Sequence, residues 1–167
     1  MQIALLSDTH SFLDERIFKH LKNVDEIWHA GDIGSLEVTD KLKTFAPLRA
    51  VYGNIDNHNI RAEFPEFNFF TVQNCKVLIT HIAGGSNFYS KKVMEYVLKN
   101  KPMLFICGHS HILKIYFNKS LNCLHINPGA AGKHGFHTIQ TFVKFELNNG
   151  KIENLQIVEL DKTPWVN

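Results

Sequence analysis

The sequence predicts an α/β fold of four layers, two mixed β-sheets packed face to face with helices outside (αββα). Three observations carry that prediction. Short apolar runs alternate with segments of helical period through the first half of the 167 residues, the pattern of parallel βα units. Hairpin signals crowd the second half, and a single open parallel sheet accommodates those strands poorly. No repeat, low-complexity tract or polar linker divides the chain, so residues 1–162 read as one domain and 163–167 as a C-terminal tail.

The elements follow in order. Ile3–Ser7 is a short apolar strand, and Leu13–Leu21 carries Leu13, Ile17, Phe18 and Leu21 at helical spacing. Glu26–Ala30 is the second strand. Ser35 is placed to cap a helix whose Val38, Leu42 and Phe45 form an apolar stripe, and Leu48–Tyr52 is the third strand. Phe67–Val72 and Cys75–Thr80 flank Gln73-Asn74 as a hairpin. A helix is expected over Asn87–Leu98 with Tyr89, Val93, Tyr96 and Val97 on one face, then a strand over Met103–Cys107. Ile112–Phe117 pairs with Leu121–Ile126. Thr138–Leu147 pairs with Lys151–Leu160 across Asn148-Asn149-Gly150, the strongest turn signal in the chain. Trp165 in the tail is a candidate to dock on the body.

Composition narrows the function classes. Lys plus Arg number 18 and Asp plus Glu 16, a net charge of +2, too small for electrostatics dominated by a polyanion. No basic aromatic stripe marks a nucleic-acid-binding module. Met1–Leu6 lacks the basic start of a leader, and no apolar run reaches membrane-span length. Cys75, Cys107 and Cys123 have no CxxC spacing and read as reduced, buried thiols. A cytoplasmic protein without membrane contact is expected. Ser7-Asp8-Thr9-His10-Ser11 after the first strand lacks the glycine fingerprint of a dinucleotide site.

The informative pattern is where the polar residues fall. Apolar runs end at Asp8-Thr9-His10, His29-Ala30-Gly31-Asp32, Gly53-Asn54-Ile55-Asp56, Thr80-His81 and Gly108-His109-Ser110-His111. Carboxyl ends of parallel strands converge on one edge, where ligands bind. Each block alone has an ordinary structural reading: a turn, a helix cap at Asp32, a satisfied buried histidine at His81. Their coincidence at strand ends is what points to a site. A mixed Asp/His/Asn set suits divalent transition metals better than calcium, and without clustered cysteines a structural zinc site is disfavoured. Two metals roughly 3.5–4 Å apart can activate water and stabilise entering and leaving oxygens in phosphoryl transfer. Asp32 lies between the clusters as a candidate bridge.

In these ordered blocks the sequence resembles the calcineurin-like metallophosphoesterases, particularly the small single-domain bacterial and archaeal phosphodiesterases, over nearly its whole length. The resemblance implies Asp8, His10, Asp32 and His111 around one metal and Asp32, Asn54, His81 and His109 around the other. It implies two divalent ions, manganese first, with iron, nickel or zinc as alternatives, a small phosphodiester substrate and a homo-oligomer. It implies a hydroxide activated by both metals, with Asp32 and Asn54 in the reacting site and Asp56 orienting a neighbouring ligand or stabilising its turn. One position departs: many relatives carry histidine where this chain has Ile55, which cannot donate a proton, leaving water or another histidine, with His58 and His134 as candidates by chain context. Asn127-Pro128-Gly129-Ala130-Ala131-Gly132 resembles a family block and reads as a loop, either a tight turn or one whose glycines let phosphate approach. Lys133, His134 and His137 are candidates for the rim. A phosphomonoesterase is the nearest alternative function, and a noncatalytic interaction subunit of the same fold, like the membrane-trafficking member of the family, is the alternative from another class.

Overall fold

The structure is a computed structural model, and it describes residues 1–85 and 88–162. The proposed tail with Trp165 and the expected helix start at Asn87 lie outside the described residues. The strands are β1 (Gln2–Leu6), β2 (Glu26–His29), β3 (Leu48–Ala50), β4 (Phe67–Val72), β5 (Cys75–Thr80), β6 (Gly84–Gly85), β7 (Phe88–Tyr89), β8 (Leu104–Ile106), β9 (Leu113–Asn118), β10 (Cys123–Pro128), β11 (Ile139–Asn148) and β12 (Lys151–Asp161). The helices are α1 (Phe18–Leu21), α2 (Leu36–Lys43), α3 (His58–Glu63) and α4 (Lys91–Asn100).

Two five-stranded sheets form the body, in the orders β12-β11-β1-β2-β3 and β4-β5-β8-β10-β9. Each has a parallel centre, β1-β2-β3 in one and β5-β8-β10 in the other, extended by antiparallel strands. Strand period explains the layering. Ile3 and Leu5 of β1 enter the space between the sheets with Trp28, Val77, Ile79, Leu104, Ile106 and Phe145. Ala4 and Leu6 face the other way, onto Ile17, Leu21, Val38 and Leu42 of the α1–α2 layer. Leu78 and Phe105 likewise turn outward onto Val93 and Val97 of α4. Burying a side chain of this size contributes about 1.5–3 kcal/mol, so neither sheet is stable with one face bare.

The hairpins follow the expected turn chemistry. Gln73 and Asn74 both have positive φ (48° and 58°), as do Asn149 and Gly150 (47° and 83°), the backbone twist that two-residue hairpins favour. Several expectations need correction. The segment from Leu13 is not one helix: Asp14 accepts the Arg16 amide and starts a 3-10 turn at Glu15–Ile17, which passes into the single turn of α1. The fourth helix begins at Lys91, because Ser90 caps it by accepting from the Val93 amide, and Tyr89 belongs to β7. Ser35 occupies the cap position of α2 without a side-chain bond to its amides. Asn127 and Pro128 end β10 rather than forming a loop. The periodicity gave no sign of α3, a short helix whose amides at Asn59 and Ile60 are capped by Asn57.

Candidate metal centre

The parallel strands of both sheets end at the same edge. Sheet one delivers Asp8 and His10 after β1, Asp32 after β2, and Asn54 and Asp56 after β3. Sheet two delivers His81 after β5 and His109 and His111 after β8. The chain turns sharply as it leaves these strands. Asp8, His10, Asp32, His109 and His111 all have φ between 48° and 71°, a left-handed conformation that costs a non-glycine residue on the order of 1–3 kcal/mol. Backbone pairing holds it: Asp8 donates to Gly31 O, His10 to Asp32 O and Gly108 to His81 O, at 3.0, 3.0 and 2.9 Å.

The side chains gather in two sets, Asp8 with His10 and His111, and Asp32 with His81 and His109, whose ligand atoms lie within 4.8 Å of one another inside each set. Each set therefore draws on both sheets. Asp32 faces both: its Oδ1 lies 3.2 Å from His81 Nε2 and its Oδ2 lies 3.6 Å from His10 Nε2. Asp8 Oδ1 sits 3.2 Å from His111 Nε2 and 3.9 Å from His81 Nε2. His10 Nε2 and His111 Nε2 are 3.3 Å apart.

Proton bookkeeping shows what these atoms lack. His81 Nδ1 donates to the carbonyl of Ala30 at 2.8 Å, so in the neutral ring Nε2 carries a bare lone pair. That atom and Asp8 Oδ1 are buried and have no hydrogen-bond partner among the described residues. In that neutral ring, lone pairs from a nitrogen and two carboxylates converge, the arrangement a divalent cation satisfies. Burial disfavours charge on His81, but the contact with Asp32 and the charges of Asp8 and Asp32 outweigh it and hold its pKa above the ordinary value. On His10 burial wins over the same two carboxylates, and its pKa is lowered.

The ligand loops are tied together from behind. Asp56, 3% exposed, accepts three backbone amides: Gly53 and Gly34 at 2.7 Å and Ile33 at 3.2 Å. It therefore joins the Asp32 loop to the Asn54 loop through the main chain, rather than touching a ligand side chain. Arg61 straps the same turn, donating to the carbonyls of Asp56, Gly53 and Asn54. Gly53 is required by proximity, since a Cβ there would stand 2.0 Å from Asp32 Oδ1. Ile55 contributes its backbone, whose N–H donates to Asp32 Oδ1 at 3.1 Å.

His29 is the other organiser. Its Nδ1 accepts from the Gly31 amide at 3.2 Å, so Nε2 bears the proton and donates to Thr9 Oγ1 at 3.0 Å; the Thr9 hydroxyl then donates to Ile33 O. Burial pushes the His29 pKa down to about 4 from 6.5. The unfolded chain takes up this proton first as pH falls, so stability is complete above pH 6.5 and declines toward pH 4. The loss from this residue is about 3 kcal/mol over that window. His125, also held at about 4 by burial, acts in the same direction. Urea unfolding across this pH range is expected to show the decline, and His29→Gln, which keeps a donor toward Thr9, is expected to flatten it. An unchanged slope in the variant would remove His29 from this role.

The remaining candidates fall as follows. Asn54 is exposed beside His81 on a 240 Å³ cavity that Arg61 and Tyr52 also line. His134 lies with its ring 4.7 Å from that of His10, and His137 lies 5.4 Å from His111 while its Nε2 donates to Gly132 O. Lys133 rests over the Phe12 ring, and His58 opens α3 as an exposed residue. The glycines of the 127–132 block serve the main chain: added Cβ atoms would meet Thr141 Oγ1 at Gly129 and the Thr9 and Asp8 carbonyls at Gly132. His29, Thr9 and Arg61 went unassigned in the sequence. His29 carried a signal as the last residue of a strand, whereas Arg61 carried none. The cysteines are free and buried, as expected. Among the described residues no helix is long and apolar enough to cross a membrane.

Comparison with known proteins bears on this geometry. A profile of the calcineurin-like phosphoesterase superfamily domain matches residues 1–150. A probable metallophosphoesterase of Methanocaldococcus jannaschii is 30% identical over 138 residues, 78% of this chain and 68% of that protein. Among solved structures, a novel archaeal phosphodiesterase superposes with a TM-score of 0.72 at 25% identity, covering 96% of this chain and all of that one. Vps29 of Entamoeba histolytica in complex with zinc superposes with a TM-score of 0.75 at 17% identity over 98% of this chain and 100% of that one, a likeness of fold.

Proposed function

This chain belongs to the calcineurin-like phosphoesterase superfamily, and on that premise we propose that it hydrolyses phosphodiesters with two divalent metal ions, manganese foremost. The observation that carries the reading is Asp32, one carboxylate presenting an oxygen to each donor set, beside the unpartnered Asp8 Oδ1 and His81 Nε2. Asp8, His10, Asp32 and His111 would hold one ion, and Asp32, Asn54, His81 and His109 the other. When bound, the ions supply a lowered pKa for water and a sink for charge on the phosphoryl oxygens.

The chain's own residues do the positioning. Asn54, exposed on the cavity that His81 also lines, would offer its side-chain amide to an ion and to an entering phosphate oxygen. Asp56 and Arg61 hold the turn that carries it. Ile55 offers no proton to a leaving alkoxide, so an aryl ester, whose anion leaves unaided, is expected to react faster than an alkyl ester. We extend the reading to a cytoplasmic homo-oligomer, to be measured by light scattering.

The test loads purified protein with manganese, iron, nickel or zinc, measures metal content, and compares bis(4-nitrophenyl) phosphate with 4-nitrophenyl phosphate. Expected are about two ions per chain, as a paired-metal site requires, and faster turnover of the diester. Absence of bound metal under every loading would sink the proposal. Turnover of the monoester alone would leave the metal assignment standing and shift the activity to a phosphomonoesterase. Full metal content with neither reaction would favour an interaction subunit.

A further inference from the structure

A cavity of 810 Å³ lies beside the metal centre and, among the described lining residues, shares His109 with its donor sets. It lies on the outer face of sheet two, between the described residues of β6 and β7 and the β9–β10 pair. His109 stands at its rim and also in the second donor set. A group seated in the cavity and a phosphate seated at the donor set would therefore be neighbours, as two parts of one ester are.

The walls say what kind of group fits. Phe88 lines the cavity and is 70% exposed, a large apolar ring left in water. Tyr116 stacks on His125 with ring centres 4.7 Å apart, and Tyr89 lies nearly parallel to His125 at 5.8 Å. Among these rings stand Ser110, Asn118, Ser120 and Asn127. These groups partner one another or the main chain and keep bonding capacity to spare, which an alkyl chain would leave unused. A multiply charged group would find Lys114 as the cation among the described lining residues. A flat ring with hydrogen-bonding edges meets both demands, and the volume lies within the roughly 300–1,000 Å³ usual for small-ligand sites.

The cavity is also wired to the ligand loop. Asn127 Nδ2 donates to Gly108 O at 2.7 Å and to Ser110 Oγ at 3.1 Å, bracketing His109, and approaches Cys107 Sγ at 3.7 Å. Cys107 Sγ meets His125 Nε2 at 3.4 Å, His125 Nδ1 meets Tyr89 Oη at 2.9 Å, and Tyr89 Oη meets Tyr116 Oη at 3.3 Å. With His125 neutral the chain is consistent in either sense, from the Cys107 thiol through His125 and Tyr89 to Tyr116 or back again. Burial keeps both Cys107 and His125 uncharged, the thiol pushed up to about 12 and the imidazole down to about 4.

We propose that this cavity is a subsite for a planar heteroaromatic substituent of the phosphodiester, of the nucleobase kind, seated against Phe88 and Tyr116 with its phosphate toward His109. As a substrate assignment, the proposal rests on the phosphodiesterase reading above.

The test separates binding from reaction. Metal-free protein is titrated with adenosine and, in parallel, with ribose, following the ring resonances of Tyr89, Tyr116 and His125 by NMR. Adenosine is expected to shift them and ribose to leave them unmoved. Phe88→Ala and Tyr116→Ala are each expected to weaken adenosine about tenfold, the scale of one lost base–aromatic stack. Phe88 is exposed, so its variant keeps the test informative if Tyr116→Ala fails to fold. Equal response to adenosine and ribose, or wild-type adenosine affinity in the folded variants, would overturn the subsite. With thymidine 5′-(4-nitrophenyl) phosphate, Phe88→Ala is expected to raise KM more than it lowers kcat; an unchanged KM would overturn the link to the reaction. Because the titration needs no metal, adenosine binding in a protein that neither holds metal nor cleaves diesters would mark failure of the activity reading rather than of the cavity.

Discussion

Asp32→Asn is expected to reduce phosphodiester hydrolysis by about three orders of magnitude, the upper end of what loss of one transition-state charge stabiliser causes. The change is nearly isosteric. Asn keeps a carbonyl oxygen that can still accept the Ile55 N–H now bound to Oδ1. What it loses is the negative charge and the second acceptor, so one of the two sets is left facing an amide. Metal content is therefore expected to fall together with activity. The metal-free fold is expected to lose a little stability as well, because although burial disfavours the Asp32 charge, His81, the Ile55 amide and His10 outweigh it and hold that carboxyl below its ordinary pKa. The checks are metal analysis, kcat/KM on bis(4-nitrophenyl) phosphate and the melting temperature of the stripped protein. Wild-type turnover at full metal content would end the assignment of Asp32 as the bridge.

Asp56→Ala acts in the opposite order, on the fold first and on chemistry through it. Three amides lose their acceptor at once inside a buried turn. Removing one partner of such a charge-assisted cluster typically costs about 3–5 kcal/mol. Urea unfolding of the metal-free variant is expected to show a loss of that size. Asp56→Asn should recover only part of it, since one of its terminal atoms would be an amino group aimed at an amide donor. Saturating metal should restore some stability to both variants by mass action, in proportion to the affinity that the loosened loops retain. A variant as stable as the wild type would show that the Ile33, Gly34 and Gly53 amides find other partners.

Both predictions use residues that the sequence exposed to view, but for different reasons. The two-sheet layering and the hairpins at Gln73-Asn74 and Asn149-Gly150 were legible because period-two burial and positive-φ turns leave local marks. The gathering of Asp8, His10, Asp32, His81, His109 and His111 was legible because parallel strands put their carboxyl ends at one edge. What stayed hidden was set by contacts distant in the chain. The three amides of Asp56 come from two loops, and the carbonyls grasped by Arg61 come from a turn preceding a helix too short to show a period. The Tyr89–His125–Cys107 chain joins two strands to the loop after a third, and no spacing of residues announces it. Capping decided the helix starts: Asp14 and Ser90 moved them from the positions that apolar spacing suggested.

Each donor set takes residues from both sheets, and that would make bound ions a fastener as well as a reagent. Below the edge the sheets adhere through apolar side chains, a contact that is strong in total and indifferent to direction. At the edge, coordination would be short-ranged and directional, so parting the sheets there would first require losing an ion. Saturation at a hundred times the dissociation constant adds about 2.7 kcal/mol per ion. The resistance of this protein to heat, proteolysis or mechanical pull should therefore track the metal supply around it, rising and falling with no change in sequence.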